Sequence, residues 1–198
     1  MDYSSRTQSA TGQGLSFWFN ALALAGVCGS LLMALYWQVV FNELPCPLCQ
    51  LQHVALTLAG IGMMLNVRFG PSAVHYAIIL ASALGGAVAS ARQVLLHIAP
   101  GDTGYGSTLF GLHFYTWGFI SFVLMLVFCT VMLCIDRNQL SAPRVQLSNR
   151  PQANTRIAFL LMGLFVLITI ANLISALMVC QFGSCPDNPT EYLWKFGF

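Results

Sequence analysis

The chain contains very few charged residues. Only 7% of its 198 residues are Asp, Glu, Lys or Arg, whereas 57% are hydrophobic. Soluble domains carry about 25% charged residues, and long apolar stretches indicate transmembrane helices. The net charge of +2 is also too small to indicate nucleic-acid binding. The composition therefore excludes an ordinary soluble domain and favours a membrane protein.

Five apolar segments are each long enough to cross a bilayer, which takes about 20 residues. They cover approximately residues 15–41, 48–67, 73–98, 113–135 and 157–179. The first segment exceeds the length of a signal-peptide apolar region, and no cleavage pattern follows it. We therefore predict an all-α membrane protein, consisting of a four-helix transmembrane bundle plus a fifth transmembrane helix.

The arginines predict the orientation of these helices. Five spans place the two termini on opposite sides of the membrane, and cytoplasmic loops carry an excess of Lys and Arg. One side carries Arg6, Arg68, Arg137, Arg144, Arg150 and Arg156. The other side carries Lys195, together with Arg92 if its side chain reaches the surface. We expect a bacterial inner-membrane protein whose N-terminus is cytoplasmic and whose C-terminus is periplasmic.

This orientation predicts five regions along the chain. They are a flexible cytoplasmic tail (1–13), a four-helix bundle (14–135), a cytoplasmic linker (136–156), the fifth helix (157–179) and a periplasmic cysteine-containing tail (180–198). The outer loop between the third and fourth spans, residues 99–112, contains no cysteine and is rich in turn-forming glycines.

The predicted outer side carries four of the seven cysteines, in two close pairs. These are Cys46 with Cys49 and Cys180 with Cys185. Disulfides persist in the periplasm, so two such pairs suit a disulfide relay. The remaining cysteines, Cys28, Cys129 and Cys134, are interpreted as packing residues within the spans.

The segment Cys46-Pro47-Leu48-Cys49 stands where the second span begins. Proline is favoured at the first position of a helix, so the cysteines are predicted to lie in the first turn. The positive end of the helix dipole and the unpaired N–H groups favour thiolate there. A redox-active disulfide is the interpretation we favour, and a structural disulfide or a metal-binding pair remains possible at this point.

Three stretches of the sequence resemble the DsbB family of bacterial disulfide bond formation proteins. They are the Cys46-Pro47-Leu48-Cys49 segment, Ser90-Ala91-Arg92-Gln93 at the outer end of the third span, and Gly111-Leu112-His113 with Trp117 at the head of the fourth. The resemblance covers roughly residues 15–135. It implies an enzyme that reoxidises DsbA, a periplasmic thioredoxin-fold oxidase, and passes the electrons to a membrane quinone (ubiquinone or menaquinone).

The chain departs from the family pattern at two places. The family's second cysteine pair lies in the outer loop between the third and fourth helices, where this chain has none. The available second pair is Cys180 and Cys185, after the additional fifth helix. The family also usually carries an arginine four residues after the second cysteine, and His53 stands at that position here.

The resemblance and the chemistry of the residues together suggest a role for each candidate residue. Cys46, nearer the surface, is expected to exchange disulfides, and Cys49, one turn deeper, to face the quinone. Cys180 and Cys185 are expected to shuttle electrons from the soluble partner, although a structural clip is the alternative. Arg92 and His53 are expected to contact the quinone, because an intramembrane charge and a proton donor both suit its reduction. The alternatives are that the Arg92 side chain extends to the outer headgroups and that His53 is an ordinary core histidine.

Two other classes of protein remain open from the sequence. One is a metal- or haem-handling membrane protein that uses Cys46, Cys49 and His53 as ligands. A structural metal site usually has four ligands, and no fourth stands nearby in the sequence. The other is a non-catalytic membrane assembly protein whose disulfides merely hold its loops.

Overall fold

The computed structural model describes residues 3–102, 104–137 and 152–180, together with positions 185, 189 and 192. Its helices are α1 (Tyr3–Phe41), α2 (Pro47–Phe69), α3 (Ala73–Leu96), α4 (Phe114–Ile135) and α5 (Gln152–Cys180). Within these residues, five helices are long and apolar enough to cross a membrane. The predicted fold class, a helical membrane protein with a fifth span beyond the four-helix bundle, is confirmed.

Two helices begin earlier than the sequence predicted. Helix α1 begins at Tyr3, so the segment expected to be a flexible tail is helical from residue 3 onward. Helix α5 begins at Gln152, inside the predicted 136–156 linker. Both extensions are polar, which hides them from an assignment based on apolar runs. Residues 138–151, including Arg144 and Arg150, lie outside the described residues, and so does Lys195.

A short hairpin interrupts the predicted glycine-rich outer loop. Strands β1 (Thr108–Leu109) and β2 (Leu112–His113) pair antiparallel, with Thr108 opposite His113. The two turn residues, Phe110 and Gly111, have φ values of 52° and 81°. Two-residue hairpin loops favour positive φ at both positions, which is why glycine stands at the second. The hairpin leads directly into helix α4.

The helices pack in sequence order, α1 on α2, α2 on α3 and α3 on α4, while α5 packs against α1 and α2. Glycines permit the closest approaches. A Cβ added to Gly60 of α2 would overlap the ring of Phe165 on α5, and one added to Gly86 of α3 would overlap Phe122 on α4. Cys28 and Cys129 are buried in the core, as predicted, whereas Cys134 is exposed and does not pack there.

A buried polar network joins α1 to α4 at the end of the bundle away from the C-x-x-C segment. The Tyr76 hydroxyl donates to Asp136 Oδ2 at 2.6 Å, and Ser16 Oγ donates to the same oxygen at 2.9 Å. Asn20 Nδ2 donates to the Tyr76 hydroxyl at 3.1 Å, and Asn66 Nδ2 donates to Asn20 Oδ1 at 3.0 Å. Burial raises the pKa of Asp136, and the bonds from Tyr76 and Ser16 oppose that rise. Buried polar groups need such partners, so this network fixes the register of the helices.

Replacing Tyr76 with phenylalanine is expected to destabilise the bundle. The Tyr76→Phe change removes one donor from the buried Asp136 carboxyl and one of the two acceptors of the Asn20 amide, which keeps its bond to the Ser16 carbonyl. We expect the free energy of unfolding to fall by about 1–3 kcal/mol. Thermal unfolding of the purified protein in detergent measures the effect. The matched control is Tyr36→Phe, because Tyr36 is 53% exposed. Equal unfolding midpoints for the two variants would contradict the prediction.

Candidate functional site: a dithiol at the start of helix α2

Cys46 is the N-cap residue of helix α2. Its backbone is extended (φ −69°, ψ 166°), and Pro47 occupies the beginning of the helix. Cys46 Sγ accepts a hydrogen bond from the Cys49 backbone N–H at 3.2 Å. The side chain of an N-cap normally satisfies this N–H with an oxygen, so here a sulfur takes that place. The predicted start of the helix is confirmed, with Cys49 in its first turn and Cys46 immediately before it.

The hydrogen bonds around Cys46 make its thiol unusually acidic. Its pKa is lowered to about 7, chiefly because the Cys49 side chain donates a hydrogen bond to the sulfur. Burial opposes this shift, while the backbone N–H of Cys49, the Gln93 amide and the backbone N–H of Leu48 add to it. Near neutral pH a substantial fraction of Cys46 is therefore thiolate, the nucleophilic form.

Cys46 is also less accessible than the sequence suggested. It lies near the end of its helix, as expected, but it is only 6% exposed, and Cys49 is the more exposed of the two. The outer loop covers the turn before it, where the Tyr105 hydroxyl donates to the Leu44 carbonyl at 2.6 Å. Glu43 accepts hydrogen bonds from the backbone N–H of Ser107 at 3.0 Å and from its hydroxyl. A large partner can reach Cys46 only after this cover moves.

A cavity of about 520 Å³ lies between α1, α2 and α4, beneath the outer loop. Cys49 lines it and Cys46 does not. Its walls are mostly apolar, and Gly26 and Gly29 leave open space on the α1 side. Its aromatic and polar lining residues include Trp37, Gln38, Glu43, Gln52, Tyr105, Phe114 and Trp117. Largely apolar cavities with a few polar groups are typical of small-molecule sites.

The two residues predicted to contact a cofactor lie in different places. His53 lines the cavity, one turn beyond Cys49, as its spacing indicated. Arg92 is exposed and does not line the cavity. Its neighbour Gln93 faces inward instead, because one step along a helix turns the side chain by about 100°. Arg92 is therefore not part of the cavity wall, and its contact with a cofactor stays a prediction.

Gln93 and Gln52 complete the surroundings of the dithiol. Gln93 Nε2 donates to Cys46 Sγ at 3.3 Å and to Cys49 Sγ at 3.5 Å. Gln52 Nε2 donates to Gln93 Oε1 at 2.8 Å. The sequence alone indicates no role for Gln93, because the rotation of α3 against α2 decides which residue of α3 contacts the sulfurs.

The tail cysteines form a disulfide, Cys180–Cys185, with 4.3 Å between their Cα atoms. Leu44, Val179 and Cys180 form a small buried cluster, against which Cys185 and Tyr192 pack. Gln38 of α1 ties the tail in place, since it accepts from Ser175 Oγ at 2.6 Å and donates to the Tyr192 hydroxyl at 3.3 Å. The tail disulfide therefore packs beside Leu44, two residues before Cys46. Most of the predicted aromatic run at 191–196 lies outside the described residues.

The metal-ligand alternative has no matching geometry in the part of the chain that the structure describes. No group of three or more His, Cys, Asp or Glu side chains there is placed to hold a metal ion. Cys46, Cys49 and His53 thus do not form a ligand set. The two sulfurs instead face the amide donor of Gln93.

A bundle of membrane-length helices, one of them capped by a C-x-x-C dithiol, defines a class of integral membrane dithiol proteins. The family model "Disulfide bond formation protein DsbB" matches residues 16–104. That part of the chain is similar to the DsbB family. The matched region contains α2 and α3 with the complete dithiol site, whereas α4, α5 and the tail cysteines lie beyond it.

Several curated proteins are similar to the same part of the chain. Disulfide bond formation protein B of Nitrosomonas eutropha is 37% identical over 79 residues, which is 38% of this chain and 47% of that protein. Disulfide bond formation protein B 1 of Pseudomonas savastanoi pv. phaseolicola is 42% identical over 74 residues, 35% of this chain and 43% of that protein. Disulfide bond formation protein B of Hahella chejuensis is 35% identical over 85 residues, which is 41% of this chain and 50% of that protein. The chain thus spans about half the length of the relatives it matches. No solved structure matches it.

The acidity of Cys46 is expected to depend on the side chain at position 49. In the reduced protein, alkylation of Cys46 should follow its thiolate form and reach half its maximum near pH 7. Cys49→Ala removes the main hydrogen-bond donor, so the midpoint should rise toward the ordinary thiol value of about 8.5. Cys49→Ser keeps an O–H donor and should shift it less. Mass spectrometry of alkylated Cys46 across pH gives the midpoints. An unchanged midpoint in Cys49→Ala would refute this account of the thiol's acidity.

Proposed function

We propose that the protein is a membrane thiol–disulfide oxidoreductase that reoxidises a periplasmic DsbA-type dithiol protein and passes the electrons to a membrane quinone. The observation that carries this proposal is the position of Cys49. It belongs to a C-x-x-C pair at the start of helix α2 and also lines an apolar cavity within the bundle. One dithiol thus stands between a thiol-exchange surface and a site for an apolar molecule.

The cavity residues fit a quinone. The walls are largely apolar, while Cys49, His53 and Gln52 supply polar groups on the α2 side. Trp37 and Phe114 contact each other near its outer end, with ring centroids 5.0 Å apart. These residues would hold the ring, and His53 could carry a proton at an imidazole nitrogen. A quinone bound here supplies an acceptor for two electrons and two protons.

The thiol chemistry follows the roles expected of the two cysteines, with Cys46 as the exchange cysteine and Cys49 facing the cavity. A thiolate attacks the Cys46–Cys49 disulfide at Cys46, which forms a mixed disulfide and releases Cys49 as a thiolate. A second thiol of the attacking protein then displaces Cys46, so that protein becomes a disulfide and the pair becomes a dithiol. The two electrons gained stay on Cys46 and Cys49 until an acceptor beside Cys49 removes them.

The expected orientation places this site in the periplasm, and the arginines support it. Arg68, Arg137 and Arg156 lie at or near the helix ends opposite the C-x-x-C segment. Arg6, Arg144 and Arg150 belong to the same predicted side. An excess of arginine is typical of the cytoplasmic side, so the dithiol would face the oxidising compartment.

Quinone reduction by the purified protein tests the proposal. With a reduced DsbA-type partner and ubiquinone or menaquinone, the protein should reduce the quinone, and Cys46→Ser and Cys49→Ser should each lower the rate to background. The matched control is Cys134→Ser, because Cys134 is exposed on α4. It should keep the parent rate. Full turnover in either site variant would refute the dithiol as the redox centre.

The tail disulfide is proposed to carry electrons from the soluble partner to Cys46. Cys185 is partly exposed, whereas Cys180 is buried against Leu44. This difference supports an order in which a partner thiolate attacks Cys185 and releases Cys180, and Cys180 then attacks Cys46 and releases Cys49. The partner's second thiol displaces Cys185 and leaves the partner oxidised, and Cys185 then displaces Cys46 and restores the tail disulfide. The cover over Cys46 favours a carrier that already packs beside it over direct attack by a large protein.

A trapped disulfide tests the shuttle. In Cys49→Ser, the Cys46 thiolate can attack the intact tail disulfide at Cys180 and release Cys185, so a bond between Cys46 and a tail cysteine should form, and no thiol at position 49 can resolve it. Mass spectrometry of the digested protein identifies the joined peptides. The Cys180→Ser/Cys185→Ser double variant should lose most partner oxidation. Full activity there, with Cys46 joined only to the partner, would make the tail pair a structural clip.

A further inference from the structure

Gln93 lies against the dithiol from helix α3 and does not line the cavity. Its side chain is only 1% exposed, yet it has two donors and one acceptor to satisfy. The Nε2 atom lies 3.3 Å from Cys46 Sγ and 3.5 Å from Cys49 Sγ. Both sulfurs of the pair therefore share one amide group.

Gln52 determines which end of the Gln93 amide faces the sulfurs. It donates to Gln93 Oε1 at 2.8 Å, which holds the oxygen toward α2 and turns the NH₂ group toward the cysteines. The Cys49 thiol can also donate to that oxygen, at 3.9 Å, a longer contact. Gln52 itself fits closely against α4, where a Cβ added to Gly118 would lie 2.6 Å from Gln52 Oε1. Three helices thus fix the orientation of one amide.

We propose that Gln93, oriented by Gln52, stabilises the anionic sulfur of the Cys46–Cys49 pair and thereby makes this pair a stronger oxidant. Gln93 touches the reacting sulfurs, and Gln52 is a positioning residue that acts through it. The inference rests on the redox role proposed above for the dithiol.

The physical reason is that the hydrogen bond from the Gln93 amide to sulfur differs in strength between the disulfide and the reduced pair. A hydrogen bond to an anion is stronger than one to a neutral acceptor. The closed disulfide offers Gln93 only neutral sulfur, whereas the reduced pair offers a thiolate. The amide therefore stabilises the reduced form more, and a pair whose reduced form is stabilised is a stronger oxidant.

A neutral donor suits this buried position better than a cation. An arginine or lysine at position 93 would remain as a buried, unpaired charge whenever the disulfide closed, at considerable cost. An amide carries no net charge in either state. The chain accordingly places glutamine toward the sulfurs and leaves the adjacent Arg92 exposed.

The test uses the full-length protein in detergent, without quinone or partner. Two quantities are measured: the pH midpoint of Cys46 alkylation, and the equilibrium of the Cys46–Cys49 pair with reduced and oxidised glutathione. Gln93→Met keeps the side-chain length and removes both donors. We expect the midpoint to rise by about one unit, and the equilibrium to shift about tenfold toward the disulfide, equivalent to about 30 mV.

Gln50→Met is the matched control, because Gln50 is a half-buried glutamine in the first turn of α2, next to Cys49. Its Nε2 has no hydrogen-bond partner within the described residues. Its midpoint and equilibrium should equal those of the parent. The other titratable groups near the pair, Glu43, His53 and Tyr105, line the cavity and are unchanged in both variants.

Gln52→Met tests the orientation of the Gln93 amide without changing the packing at position 93. It also provides the test if Gln93→Met does not fold. It leaves Gln93 in place but frees its amide to turn, so both quantities should move in the same direction by a smaller amount. The inference would be overturned if Gln93→Met unfolded at a lower temperature but kept the parent alkylation midpoint and glutathione equilibrium. Parent values of both quantities in Gln52→Met would also overturn it. If both quantities shift but purified protein reduces no quinone, the proposed function fails and the amide's role stands. Quinone reduction together with parent values in Gln93→Met would refute the amide's role alone.

Discussion

A sulfur atom accepts the first capping hydrogen bond of helix α2, and the candidate site depends on that bond. Because Cys46 is the N-cap, its sulfur lies within reach of the Cys49 backbone and side chain. Pro47 fixes where the helix begins, so the spacing between the two cysteines places Cys49 one turn into the helix, at the cavity wall. Helix initiation and thiol chemistry therefore rest on the same few atoms. A different cap would move the acidic sulfur as well as the start of the helix.

The bundle concentrates its buried polar groups at its two ends and keeps an apolar core between them. At one end, Asp136 and Tyr76 join α4 to α3 and, through Asn20, to α1. At the other end, Gln52 and Gln93 join α2 to α3 around the sulfurs. Buried hydrogen bonds are directional, whereas apolar packing tolerates sliding. The distant network thus helps to hold α3 in the register that brings Gln93 to the dithiol.

The sequence predicted those features that depend on local signals. Runs without charge indicated the five spans, and Pro47 indicated the start of α2, because both effects act within a few residues. Whether Arg92 or Gln93 faces the sulfurs depends on the rotation of α3 against α2. That rotation results from long-range packing, which leaves no local pattern in the sequence. The docking of the tail beside Leu44 is long-range too, since it needs Gln38 of α1 to bind Ser175 and Tyr192. Likewise the polar start of α1 carried no apolar pattern from which its helix could be recognised.

The arrangement of the outermost helices gives the cavity a side opening. Helix α5 packs on α1 and α2, and α4 packs on α3, so α1 and α4 make little contact along the cavity. The exposed Gly26 and Gly29 extend this gap to the middle of α1. Gly26 lies roughly 18 Å from Gln38 along the helix axis, at 1.5 Å per residue. A molecule entering there arrives by lateral diffusion within the bilayer. Its effective concentration is then its mole fraction among the lipids, so added detergent dilutes it even when the volume of the sample is unchanged.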